Sequence, residues 1–93
     1  MGKKTKLAVE NPVSIGGTII IPVVMTSLYY HHVDGIISLI GFKQPVNLVV
    51  VTPTSRKAFS ITGEEILLDQ LIAEVPDLER ALGKLDNDGE GSR

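Results

Sequence analysis

His31 and His32, followed by Asp34, are the residues of this 93-residue chain whose types best suit a metal ion. Imidazole and carboxylate ligands together suit zinc, nickel or iron. Their spacing limits them. In an extended segment, neighbours point to opposite faces and alternate residues share one, so His32 and Asp34 share a face and His31 does not. Two ligands do not complete a site. A metal there needs a second His32–Asp34 pair, brought by another copy of the chain across a symmetry axis. The plainer expectation is a set of polar residues flanking a hairpin turn, with no cofactor.

A second candidate is "TPTSRKAFS", which sets hydroxyls beside two cations. A phosphate or carboxylate could bind Arg56, Lys57 and the Ser55 hydroxyl, which makes a small anion- or nucleotide-binding module the alternative reading of function. No glycine-rich loop opens a helix nearby, so neither a P-loop nor a dinucleotide fingerprint is present. Arg56 and Lys57 also suit a solvated strand edge, where charge discourages further pairing. Glu64, Glu65, Asp69 and Glu74 lie on or beside the polar side of an expected surface helix, and solubility accounts for them better than acid–base work. No serine sits in a G-x-S-x-G elbow. The tyrosine pair Tyr29 and Tyr30 could stack on a ligand, but in a strand it reads as one inner and one outer ring.

The chain has no cysteine, which removes disulfides, thiolate nucleophiles and cysteine-based zinc sites, and fits a cytoplasmic setting. Net charge is −2 and the isoelectric point is about 5.6. Nucleic acid is therefore not an expected partner, since it calls for a basic footprint that displaces counterions from phosphates. Apolar residues make up 43% and aromatic residues 4%, so a core must be built from Ile, Val and Leu. The opening "MGKKTKLAVENP" lacks the long apolar run of an export signal, because Glu10, Asn11 and Pro12 interrupt it. The uncharged run from 18 to 30 is shorter than the roughly 20 residues of a spanning helix and contains Pro22, so a membrane segment is not expected.

The elements that would position these residues follow from periodicity. Residues 1–6, with Lys3, Lys4 and Lys6, read as a flexible basic tail, and residues 86–93 as a flexible polar one. Residues 7–85 form one domain. A short first strand is expected over residues 7 to 13, then a turn at Gly16 and Gly17, where positive φ is accepted. "TIIIPVVMTSLYY" is rich in β-branched residues and apolar on both faces, so it requires cover on both sides, by a helix, a second sheet or another copy. Pro22 demands an edge or a bulge there. Asp34-Gly35 suits a tight hairpin. "IISLI" is the returning strand, ended by Gly41; "FKQP" is a connection; "VNLVVVTP" is a third apolar strand; "TSRKAFSI" is a fourth. Beyond it, Leu68, Leu71, Ile72 and Val75 recur at helical spacing. Thr62 and Glu65 fit a capping box for that helix. Pro76 ends it and opens a short second helix with Leu78, Leu82 and Leu85 inward and Gly83 near its end. The expected class is α+β: a small, mainly antiparallel sheet of four or five strands followed by a helix and a short second helix.

The order of segments resembles a family. "ENPVSIGGTIIIPV", through Pro12, Val13, Gly17, Ile20, Ile21, Pro22 and Val23, looks like the start of the spore-germination (sporulation) proteins of the GerW (YtfJ) type, which carry a Gly-Pro-Val-like element, a turn and a strand ending in Ile-Pro-Val. "LVVVTPTSRKAFSI" and "LLDQLIAEVPDLERAL" are similar to that family's later strands and its closing helix with a proline break. The likeness covers residues 8 to 82. Where the family has a glycine-rich stretch, this chain has "MTSLYYHHVDGIISLIGFKQ". The resemblance implies a non-enzymatic, β-rich domain and carries over no catalytic residue.

These readings converge on a small protein without enzymatic activity that acts as a homo-oligomer or by binding a protein partner. Its expected core or interface residues are Ile19, Ile21, Val23, Ile37, Val49 and Val51.

Overall fold

Two runs dense in β-branched and aliphatic residues, joined by Asp34-Gly35, dominate the chain. In the computed structural model, which describes the backbone of residues 2–91 and the side chains of residues 2–85, they form one long antiparallel hairpin. Its strands, β3 (Thr18–Val33) and β4 (Ile36–Val51), are 16 residues each. Asp34 at φ 53° and Gly35 at φ 78° supply the two positive φ values of a two-residue turn whose twist matches the flanking strands.

The other elements flank this hairpin. Ahead of it are β1 (Gly2–Val9) and β2 (Val13–Ile15); after it come β5 (Arg56–Ser60), β6 (Glu65–Ile66), α1 (Leu68–Glu74) and α2 (Pro76–Gly91). The six strands form one antiparallel sheet in the order β1-β3-β4-β5-β6, with β2 also on β3. The fold is α+β, a sheet followed by two helices, with more strands than the four or five expected.

β1 and β2 lie end to end along one side of β3, Val9 opposite Val23 and Val13 opposite Ile20. Pro22 sits where they part. Its carbonyl accepts a hydrogen bond from the Glu10 N–H at 2.9 Å. N–H and C=O of an extended residue point to the same side, so the proline's missing donor falls in the gap between β1 and β2. The register of β3 against β4 shifts between Val23 and Val24, where the extra residue is Val46 of β4; β3 is not bulged at Pro22, and the gap between β1 and β2 supplies the edge position that the proline needs.

One face of the sheet carries the core. Ile21, Val23, Val49 and Ala58 are completely buried against Leu71 of α1, Val75 just beyond its end, and Leu78 and Leu82 of α2. Ile19, Val51, Leu7 and Val9 pack around them, half-buried, from the same face. Each such aliphatic side chain stabilises the fold by about 1.5–3 kcal/mol. The helical stripe read at Leu68, Leu71, Ile72 and Val75 is the one that packs down, and Pro76 opens α2, where a missing N–H breaks no helical bond.

Four expectations need correction. Residues 2–6 are not a loose tail: they are the first part of β1, in register with β3 from Gly2 opposite Tyr30. The lysines there are tolerated because β1 is an edge strand. Gly41 does not end a strand, and residues 42–45 are not a connection. β4 runs through both because each residue meets a partner on β3, and Pro45 sits at the bulge that leaves Val46 unpaired with β3. Thr62 and Glu65 form no capping box. Gly63, at φ 96°, turns the chain so that Glu65 pairs with Phe59 in β6, and α1 starts at Leu68 behind Leu67 with no side-chain cap. Lastly, the second helix is the longer one, 16 residues against 7, and Gly83 lies mid-helix. Its backbone includes most of the expected polar tail; residues 92 and 93 of that tail, and residue 1 of the basic one, lie outside the described residues.

Candidate functional site

The hairpin outruns its cover. The molecule measures 59 × 30 × 24 Å, and the long dimension follows β3 and β4 away from the helices. Side chains along the core-bearing face change from buried at Ile21 and Val49 to open at Val33, Ile36, Ile40 and Phe42. The last four are 48–68% exposed. On the opposite face of this arm, Ile37 and Leu39 are 65% and 61% exposed. Surface aliphatics scattered singly are ordinary; here four large apolar side chains stand exposed on one face of the arm and two on the other.

The root of the arm is held by aromatic packing. Tyr29 meets Phe42 edge to face with ring centroids 5.9 Å apart, and the Lys3 ammonium lies 5.3 Å from the Tyr29 centroid. On the other face Tyr30 covers Gly2, where a Cβ would collide with its ring. A shallow depression of about 200 Å³ lies among Tyr29, Tyr30, His31, Ser38 and Ile40. Lys43 reaches Glu10 at 3.3 Å, an exposed ion pair that ties the arm to the β1–β2 junction.

The two edges of the arm differ. β1 accompanies β3 as far as Tyr30. β5 pairs β4 only over residues 47–51, so residues 36–44 have no outer strand among the described residues.

The residues expected to do chemistry are dispersed by this geometry. His31 and His32 both lie in β3 with opposite facing, exposed, and Asp34 sits in the turn, where strand alternation no longer aligns it with His32. Among the described residues no three His, Cys, Asp or Glu side chains group for a metal ion. The Ser55 hydroxyl lies 2.9 Å from that of Thr52, whose oxygen also accepts the Ser55 N–H at 3.0 Å. Arg56 pairs with Val51 and Lys57 with Val50, so the two cations point to opposite faces and do not converge on one anion. Among the expected core residues, Ile21, Val23 and Val49 are central and Ile19 and Val51 peripheral, whereas Ile37 stands out near the tip of the arm.

Sequence reasoning missed Leu39, Ile40 and Phe42 as surface residues. The available signal was a strand apolar on both faces with only two helices to cover it. Gly41 and Pro45 concealed it by suggesting that the strand stopped. Among the described residues no helix is long and apolar enough to cross a membrane. Compared with known proteins, the chain matches no family model and gives no significant match to a curated protein or a solved structure.

Proposed function

We propose that this chain is a small non-enzymatic domain that acts by self-association or by binding a protein partner, with the hairpin arm as its contact surface. The observation that carries this reading is the exposure of Val33, Ile36, Ile37, Leu39, Ile40 and Phe42 on one protruding element. An arm of this composition gains by being sealed, since each large aliphatic side chain withdrawn from water contributes about 1.5–3 kcal/mol. The dispersal of the histidines, and of Arg56 from Lys57, favours this over metal or anion binding. A cytoplasmic location, supported by the lack of cysteine, and a relation to the spore-germination proteins, supported by the resemblance above, belong to the same proposal.

Light scattering at high micromolar concentration tests it. A mass above the 10.0 kDa of one chain, restored to that value by Ile37→Lys or Ile40→Lys, is expected. A strict monomer at every concentration would remove self-association from the reading.

A further inference from the structure

The open edge of β4 has a polarity, a length and a guard that together specify its occupant. Its polarity follows from the turn. Val33 and Ile36 flank a two-residue loop and exchange hydrogen bonds, so β4 alternates from there. Ser38, Ile40 and Phe42 face β3 with their backbone groups. Ile37, Leu39, Gly41 and Lys43 turn theirs outward. The same alternation along β3 directs the Pro22 carbonyl towards β1, where it accepts the Glu10 N–H; on β4 the bulge at Val46 reverses the alternation, and the Val46 carbonyl turns to Ile61.

The length is self-matching. The free edge starts at Ile36, beside the turn, and stops at Gln44, before Pro45 and the stretch that β5 covers. Its midpoint is Ile40. A two-fold axis at Ile40 sets two such edges antiparallel with both ends flush. Ile37 then opposes the partner copy's Lys43, and Leu39 opposes Gly41, so every outward N–H and C=O finds a mate. Ile40 meets its own copy at the axis, Ile37 and Leu39 fall beside a flexible Lys43 and a small Gly41, and no two like charges meet.

The guard is asymmetric. The sheet's β1 edge carries Lys3, Lys4 and Lys6, which discourage pairing there. The free β4 edge carries one charge, Lys43 near its end, and none from Ile36 to Phe42. A largely apolar edge beside a guarded one is a template for a strand of its own kind.

We infer that the arm joins a second copy of this chain by antiparallel β4-to-β4 pairing about Ile40, making one continuous sheet across the dimer. This inference rests on the self-association reading and specifies its geometry. A ladder of this length buries roughly 1,000 Å² in total, at the low end of specific interfaces.

Because the chain has no cysteine, Ile40→Cys places a single thiol at the axis. Facing residues of a non-hydrogen-bonded antiparallel pair lie about 4.5 Å apart at Cα, within disulfide reach. Under mild oxidation of the full chain, Ile40→Cys is expected to give covalent dimer, whereas Val33→Cys, on β3 and so one strand away from the open edge, stays largely uncrosslinked. Leu39→Pro removes one outward N–H and no bond to β3, and is expected to raise the dissociation constant at least about tenfold. If that proline disturbs the arm, the crosslinking result decides alone. A dimer by light scattering that neither crosslinks through Ile40→Cys nor weakens in Leu39→Pro overturns edge pairing and leaves association through a sheet face. A wild-type chain that is monomeric at every concentration overturns both.

Discussion

The base and the arm of the hairpin are the same two strands with opposite fates. At the base, Ile21, Val23 and Val49 are completely buried; along the arm, Ile36, Ile37 and Leu39 are more than 60% exposed. Composition separates them only in part: β4 is rich in aliphatic residues in both halves, while the arm half of β3 carries Tyr29, Tyr30, His31 and His32. What separates them is reach. α1 lies against β5 and α2 against β1, so the helices cover only the base of the hairpin, and strand propensity continues past it. Burial is therefore a tertiary property, and an apolar strand can be core at one end and exposed at the other.

The largest expected effect lies at the base. Leu78→Ala removes a fully buried side chain between helix and sheet and should cost about 2–5 kcal/mol in denaturant unfolding. Val49→Ala should show the same sign with a smaller value. The equivalent truncation in the arm, Ile37→Ala, should change monomer stability by less than about 0.5 kcal/mol at low protein concentration. An arm truncation as costly as Leu78→Ala would mean that the arm is packed and the contrast false.

Smaller effects test how the arm is set. Gly35→Ala puts a Cβ at φ 78°, a conformation that costs an L-residue about 1–2 kcal/mol. The expected result is a modest loss of stability with the hairpin register retained, seen as unchanged cross-strand contacts by NMR. Glu10→Gln, which breaks the exposed pair with Lys43, should cost less than about 1 kcal/mol and lose even that at high salt.

Much of the fold was legible because local chemistry and tertiary need agreed. Gly16-Gly17 and Asp34-Gly35 turn as their positive φ permits, Pro22 sits at the gap between β1 and β2, and Leu71, Val75, Leu78 and Leu82 form the inner stripe. The rest failed where a partner strand overrode a local signal. Gly41 and Pro45 read as breaks, yet β3 offered partners across both. Lys3, Lys4 and Lys6 read as a tail, yet an edge strand tolerates them. Thr62 and Glu65 read as a cap, yet the hairpin at Gly63 claimed Glu65 for β6. The exposed arm was foreseen only as a surplus of apolar strand. Its place depends on where the helices end, which no local pattern in β3 or β4 encodes.

Amide hydrogen exchange along β4, followed as protein concentration rises, is the most direct probe of whether a second chain completes the arm. The account predicts that Ser38, Ile40 and Phe42 are protected throughout, while Ile37, Leu39, Gly41 and Lys43 exchange freely when dilute and become protected when concentrated. Outward amides whose exchange is indifferent to concentration would contradict it.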